Sequence, residues 1–435
     1  MPPTSPLYRA LAAAGAALVP LAALADPKLA EGHRGRTGAP ARLRAWAEGH
    51  RRKERPLVWF HASSVGEGLQ AESVLRELRA LCPEAQYAYT HFSPSARALA
   101  GRVPADVADY VPYDRPGDVD PALSALAPDL LVFSKLDLWP ELAARAAARG
   151  TAVALVAATV SPGSGRLRWP ARGLLRAGYR SVAAAGAVAE ADADRLTQLG
   201  VSRDRVRVLG DPRFDSVAVR VAAVPADEPL LALGAGAPTL VAGSTWSRDE
   251  SVLLEAFAAV RRAHPEARLI LVPHEPTPAH LAAVERAAAR TGLPAPVRLS
   301  AAAGPAPLLL VDRIGVLATL YGAGGMAYVG GGFGRAGLHS VLEPAAWGIP
   351  VAFGPRWRES RDAGLLLEAR AALALGPAPR APMELARYWG EWIESPDARR
   401  AEGARARGVV DTGLGAAKRS AELLAALIGS RPPRR

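Results

Sequence analysis

The segment His61-Ala62-Ser63-Ser64-Val65-Gly66-Glu67-Gly68 follows a short apolar run and precedes a helical pattern. A carboxylate at such a helix start is held as an anion, because the first backbone N–H groups lack partners within the helix. Glycines on both sides of Glu67 leave room for a second molecule to approach. Two roles fit: Glu67 removes a proton from a bound hydroxyl, or it serves the helix start alone. A second group begins at Gly330, where residues 332–337 (Gly-Phe-Gly-Arg-Ala-Gly) fit the G-x-G-x-x-G pattern of dinucleotide loops. The next apolar run, 349–353, ends in Gly354-Pro355-Arg356 without an acid for a ribose hydroxyl. A loop centred on Gly334 that admits a phosphate or sugar is the better reading. His339 and Glu343 stand four apart and would share one face of a helix. They suit ribose hydroxyls or a phosphate, with Ser340 as the helix cap; the alternative is a capped helix with a satisfied histidine. No third ligand lies nearby in the sequence, so a metal pair is not expected. Gly243-Ser244-Thr245 repeats the arrangement of strand, small residues and helix, which suits an anion.

These groups sit on a regular alternation. Apolar runs at 57–60, 86–90, 130–133, 152–157, 184–188 and 206–209 read as strands separated by helical patterns. The pattern breaks over residues 216–229, which read as a linker containing Pro225 and Pro229. It restarts with strands at 239–242, 268–272, 308–311, 326–329 and 349–353. Strands alternating with helices of this length predict parallel βαβ units, hence two α/β halves with ligands at the C-terminal strand ends.

The chain has 435 residues, half of them hydrophobic, which excludes a disordered acidic protein. A single cysteine, Cys82, excludes a disulfide framework and a cysteine-rich zinc site; it reads as a small buried residue. The net charge is +11 and the pI near 10.2, yet no aromatic–basic interleaving or nucleic-acid motif accompanies it, so no nucleic-acid partner is expected. The charge is concentrated: residues 28–55 carry nine Lys/Arg against three Glu. Before them lies an apolar run at 10–25 that spans about 24 Å as a helix, short of a ~30 Å bilayer core, with Pro20 inside it. Three readings stay open on these residues: a cleaved secretory signal ending at Ala23-Leu24-Ala25, a segment docking on an anionic membrane surface, and an ordinary packed helix.

Taken in order, several motifs resemble the bacterial 3-deoxy-D-manno-octulosonic acid (Kdo) transferases. They are Ser64 to Glu67, Leu138-Trp139-Pro140, Gly210-Asp-Pro-Arg-Phe-Asp215, Ala242 to Thr245, and Asp312 to Gly315 with Leu317 and Tyr321. The segment from the glycine loop through His339 and Glu343 to Val351, then Phe353-Gly354-Pro355, completes the set. The resemblance implies an α/β fold of the GT-B glycosyltransferase type, two Rossmann-like domains facing a cleft. It implies transfer of Kdo from CMP-Kdo to a lipid A precursor with inversion, needing neither metal nor other cofactor. Glu67 is then the general base. Lys135 and Arg213 take the other catalytic positions, Lys135 where many members carry a glutamate and Arg213 where they carry a lysine. Donor contacts fall on Ser244, Thr245, Pro273, His274, Ile314, Gly315, Val316, Gly334, His339, Ser340, Val341, Leu342 and Glu343. His274 stands in place of a family arginine and Ser340 in place of an asparagine. The expected division is a membrane-docking segment at 1–27, an acceptor-binding domain at 28–216, a donor domain at 230–410, and a C-terminal helix with a basic tail at 411–435. The family works on the cytoplasmic face of the inner membrane, where CMP-Kdo is available, which favours docking on that anionic surface over a cleaved signal. Two alternatives remain: an enzyme of the same fold using another nucleotide sugar, and an inactive homologue that only binds the membrane surface.

Overall fold

The computed structural model describes residues 4–429; of the C-terminal helix and basic tail expected at 411–435, residues 430–435 lie outside them. The chain forms two compact units, one running to Ser216 and resuming at Leu414, the other Val217–Gly413.

The first unit holds seven parallel strands: β1 (Leu57–His61), β2 (Gln86–His91), β3 (Val107–Tyr110), β4 (Leu130–Ser134), β5 (Ala152–Ala158), β6 (Val182–Ala187) and β7 (Val206–Val208). Their order is β3-β2-β1-β4-β5-β6-β7, so the winding reverses between β1 and β4. β1, β4 and β5 are buried along their whole length, which explains why they read as continuous apolar runs rather than alternating ones. The second unit repeats the plan with β8 (Thr239–Thr245), β9 (Arg268–Pro273), β10 (Val297–Arg298), β11 (Leu308–Leu310), β12 (Met326–Val329), β13 (Val351–Phe353) and β14 (Ala372–Ala374). Here the order is β10-β11-β9-β8-β12-β13-β14, again all parallel.

Three strands escaped the reading of the sequence: β3, β10 and β14. Each is a sheet edge. An edge strand buries less of its surface, so Val107-Ala108-Asp109-Tyr110 carries no apolar run to betray it. The expected linker is also corrected, since the helix Pro212–Ala222 continues through its first half. Asp215 on that helix accepts the N–H groups of Gly415 (2.7 Å) and Ala417 (3.0 Å), which caps the last helix, Ala416–Gly429, within the first unit.

Two helices precede β1: α1 (Pro6–Ala22) and α2 (Pro27–His50). Five of the nine cations of the basic segment therefore lie on a helix, and Arg36 among them is internal. Arg36 is buried, with its guanidinium 3.9 Å from the centre of the Phe92 ring and bonded to the Phe92 carbonyl. α1 is fastened at its start: Tyr8 donates to Asp114 (2.6 Å), Arg9 pairs with Glu141 (3.1 Å), and the Thr4 hydroxyl bonds Glu141 as well. Glu141 and Asp114 are both buried. Burial alone would raise the Glu141 carboxyl, but bonds from Thr4, Arg145 and Arg9 outweigh it and hold the carboxyl low. No described helix is long and apolar enough to cross a membrane.

Candidate active site

In doubly wound sheets a ligand crevice opens beyond the C-terminal strand ends where the winding reverses. In the first unit that point lies between β1 and β4. β1 passes through Ser63 and Ser64 into α3 (Val65–Leu81), whose first turn carries Glu67. Ser64 and Glu67 form a reciprocal capping box: Ser64 Oγ accepts the Glu67 N–H (3.4 Å), and Glu67 Oε2 accepts the Ser64 N–H (3.2 Å). Among the described residues Oε1 takes no hydrogen bond. The two roles weighed for Glu67 are thus compatible, one oxygen serving the helix and the other available to a hydroxyl. Across the crevice, Ser134 at the end of β4 donates to the Glu67 carbonyl (3.2 Å). Lys135 follows it in the left-handed region, at φ +61°, with its N–H on the Val156 carbonyl (2.8 Å). A non-glycine residue there costs on the order of 1–2 kcal/mol, strain of the kind that gathers at functional sites.

His61 is the last residue of β1. The indole N–H of Trp139 can only donate, and it meets His61 Nε2 at 3.0 Å. That nitrogen therefore carries the lone pair, and Nδ1–H donates to Thr90 Oγ1 (3.1 Å). Asp137 Oδ2 lies 3.8 Å from the same Nε2, buried and without a hydrogen bond among the described residues. Arg213 is held by Asp211 through its Nε (2.9 Å) and its terminal nitrogen (2.7 Å), at the start of the helix Pro212–Ala222. That start is joined to α3, because Ser73 Oγ donates to the Pro212 carbonyl (3.4 Å).

In the second unit the winding reverses at β8, between β9 and β12. Ser244 near its end is left-handed, at φ +52°. Thr245 is fully buried and its hydroxyl donates to Glu250 (3.0 Å), itself paired with His280 (2.9 Å). Its side chain is committed inside the fold, which corrects its assignment as a donor-binding group and leaves Ser244 as the available hydroxyl. The glycine loop is likewise crowded by protein. A Cβ on Gly330 would lie 2.3 Å from the Ser244 carbonyl oxygen, and one on Gly331 (φ +95°) 2.0 Å from that of Gly337. These glycines let β8 and the loop close on each other, whereas Gly334 and Gly337 keep their sides open. Asp249, which the sequence reading missed, organises this loop. Fully buried, it accepts from Tyr328 (2.8 Å), from Gly331 N–H (3.0 Å) and from Trp246 N–H (3.0 Å). Burial raises its carboxyl above the ordinary range against the pull of these bonds. The signal was present: an acid three residues into a helix directly after Gly-Ser-Thr.

His339 and Glu343 are not on one helix. His339 sits in the loop with its N–H on the Gly330 carbonyl (3.2 Å), and the helix Leu342–Ala346 begins three residues later. Val341, not Ser340, occupies the cap position, and Ser340 is exposed. The His339 ring stacks on His274 (4.4 Å, 25°) and accepts the indole N–H of Trp246 at Nε2 (3.1 Å). Burial, then the neighbouring His274, push its pKa down to about 4. His274 itself is exposed; it follows Pro273 at the end of β9 and is pinned by its N–H to the Thr245 carbonyl (2.9 Å). Glu343 is bridged by both terminal nitrogens of Arg220 (3.1 Å each). Ile314 is largely exposed and Gly315 left-handed (φ +87°) where the chain leaves β11, Val316 heads the short helix Leu317–Leu320, and Val341 and Leu342 are buried. His274, His339 and Ser244 thus gather on adjoining strand ends. Among the described residues no three His, Cys, Asp or Glu side chains are placed to hold a metal ion.

Residues 36–216 match the sequence profile of the 3-deoxy-D-manno-octulosonic-acid transferase (kdotransferase) family. The 3-deoxy-D-manno-octulosonic acid transferase of Bordetella pertussis is 32% identical over 418 residues, covering 90% of this chain and 92% of that protein. The transferase of the same name from Aquifex aeolicus is 27% identical over 322 residues, 72% of this chain and 80% of its own. Among solved structures, UDP-GlcNAc 2-epimerase from Neisseria meningitidis superposes with a TM-score of 0.58 at 12% identity, over 87% of this chain and 100% of that one. A glycosyltransferase from Rickettsia africae gives 0.57 at 9% identity, again over 87% and 100%. At such identities the structural likeness speaks for the fold alone, which is α/β of the GT-B type with two Rossmann-like units. The Bordetella relative carries the argument further, since its similarity runs through both units: this chain belongs to the 3-deoxy-D-manno-octulosonic acid transferase family of glycosyltransferases.

Proposed function

We propose that the chain transfers Kdo from CMP-Kdo to a lipid A precursor, with inversion at the anomeric carbon and without a metal ion, on the cytoplasmic face of the inner membrane. The observation that carries this is the division of labour within the Glu67 carboxylate: Oε2 is tied to Ser64 while Oε1 is available. Through Oε1, Glu67 takes the proton of an acceptor hydroxyl. The freed oxygen forms a bond to the anomeric carbon as the bond from that carbon to the CMP phosphate oxygen breaks. One displacement inverts the centre. Lys135, across the crevice, supplies a cation for the Kdo carboxylate or an acceptor phosphate. His274, His339 and Ser244 in the second unit suit the donor nucleotide.

The membrane assignment is supported by α1. Leu7, Leu11, Leu18 and Leu21 are each more than half exposed. At 100° per residue they fall within an arc of about 80°, an unpartnered apolar stripe along a helix fastened at its start. The basic α2 follows directly, which suits an anionic surface.

The test is to incubate the purified full chain with CMP-Kdo and lipid IVA, with and without EDTA. Product mass and CMP release are measured, and the new anomeric centre is assigned by NMR. The expected product carries added Kdo of inverted configuration, at a rate indifferent to EDTA. CMP-Kdo left intact beside unmodified lipid would overturn the proposal.

A further inference from the structure

The first unit holds a second concave site, a cavity of ≈ 650 Å³ against the edge strand β3, walled by α2 and by the short helix α4 (Arg97–Ala100). Its volume lies in the ordinary range of small-molecule sites. The cavity has an aromatic floor. The His91 ring lies 4.2 Å from that of Tyr110, and a Cβ on Gly35 of α2 would sit 2.5 Å from the Tyr110 ring, so the helix backbone closes directly onto it. His91 Nδ1 meets the Ser93 carbonyl at 3.0 Å and must carry the proton there. Burial lowers the His91 pKa, so Nε2 is a neutral acceptor.

Three guanidinium groups line the walls, and they are not equivalent. Arg42 is committed, forked onto Asp109 at 2.8 and 2.5 Å. Arg97 is 73% exposed and reaches Glu31 only at 3.7 Å. Arg34 is exposed and takes no hydrogen bond or ion pair among the described residues. Two under-committed guanidinium groups beside one cavity suit a phosphate, which arginine binds through paired N–H groups. The Glu31 carboxylate, the His91 acceptor and the ring floor suit sugar hydroxyls and the apolar face of a pyranose. A phosphorylated sugar meets both sets at once.

The cavity is tied to the Glu67 loop through the backbone that follows His91. The N–H groups of Phe92 (3.3 Å) and Ser93 (2.8 Å), directly after His91, both bond the Ser63 carbonyl, four residues before Glu67. Four residues beyond Tyr110, Asp114 receives Tyr8 of α1. We infer that this cavity seats a phosphorylated sugar unit of the membrane-borne acceptor, held by Arg34 and Arg97, while another hydroxyl of that acceptor reaches Glu67. This rests on the acceptor reading above.

The test compares the full chain with Arg34→Ala/Arg97→Ala, two exposed positions whose loss leaves the fold intact. Glucose 1-phosphate, glucose and inorganic phosphate are titrated separately by calorimetry, and acceptor KM, kcat and CMP affinity are measured alongside. Glucose 1-phosphate should bind the wild type at least about tenfold tighter than glucose or phosphate, and the double variant should lose about tenfold in that affinity. Acceptor KM should rise by a similar factor, with kcat at saturation and CMP affinity unchanged. Equal glucose 1-phosphate affinity in the two proteins overturns the site. Lost sugar-phosphate binding with an unchanged acceptor KM overturns the acceptor assignment and leaves a site for a free sugar phosphate. A wild type that transfers nothing to lipid, yet binds glucose 1-phosphate through these arginines, overturns the transferase reading and the acceptor assignment but keeps the sugar-phosphate site.

Discussion

Trp246 donates its indole N–H to Nε2 of His339 across 3.1 Å, which leaves His339 a neutral imidazole with its proton on Nδ1. Trp139 does the same to His61 in the other unit, at 3.0 Å. In each case a donor-only side chain sets the tautomer of a histidine beside a strand end. Trp246→Phe keeps the ring and removes the donor. Histidine 15N shifts should then show His339 Nε2 taking up protons, with its pKa rising from about 4. An unchanged titration in a folded variant would deny Trp246 this positioning role.

Stability should carry the mark of the same residue. The folded value of about 4 lies below the ordinary 6.5, so the unfolded chain takes its proton first as the pH falls. The contribution of His339 is whole above pH 6.5 and is lost between pH 6.5 and 4. Comparing denaturant midpoints of wild type and His339→Asn across this window should show the wild type falling more steeply with acid.

Asp114 acts in the opposite direction. Burial pushes its carboxyl up to about 6 from 3.8, despite bonds from Tyr8, Glu141 and Leu142. The folded chain holds this proton longer, so the contribution of Asp114 to stability is whole below pH 3.8 and is lost as the pH rises through 6. The Tm of Asp114→Asn minus that of wild type should therefore increase from pH 4 to pH 7. A flat difference would mean that Asp114 ionises freely in the fold.

Glu67→Gln and Glu67→Ala should separate the two duties of the carboxylate. The amide retains an oxygen for the Ser64 N–H, so Glu67→Gln should fold normally, bind CMP normally and lose at least about 100-fold in kcat. Glu67→Ala also loses half of the capping box and should be destabilised by about 1 kcal/mol more. Near-normal transfer by Glu67→Gln would remove Glu67 as the base.

Glu343→Ala should weaken CMP binding by about 1–3 kcal/mol if the carboxylate accepts from the ribose. Arg220→Ala, which removes the cation bridging Glu343, should retain most of that affinity. Calorimetry showing CMP affinity unchanged by Glu343→Ala would reduce the pair to a structural tie.

Leu11→Asp and Leu18→Asp place charges on the exposed stripe of α1 without entering the core. Both variants should keep the wild-type Tm, bind anionic vesicles less tightly, and leave them fully at high salt, where the wild type is partly retained. Vesicle binding equal to wild type at all salt concentrations would show that this stripe does not meet lipid.

What the sequence alone determined is what local chemistry encodes. Interior strands such as β1, β4 and β12 bury both faces, so each reads as an unbroken apolar run, and the parallel fold follows from their alternation with helices. The place of Glu67 at a helix start was equally legible, because it depends on residues within one turn, while its reciprocal box with Ser64 came from the structure. Tertiary structure decided whatever depends on neighbours distant in the chain. The half-exposed edge strand β3 has no local signature. The four-residue spacing of His339 and Glu343 suggested a shared helix, yet the backbone of His339 is taken by Gly330, and the helix starts only at Leu342. Thr245 read as a ligand group until Glu250 claimed its hydroxyl inside the fold. Asp249 gained its importance only when Tyr328 and Gly331, some eighty residues on, were brought within hydrogen-bond reach. A buried polar group must find its partner wherever the fold supplies one, and spacing along the chain does not say where that is.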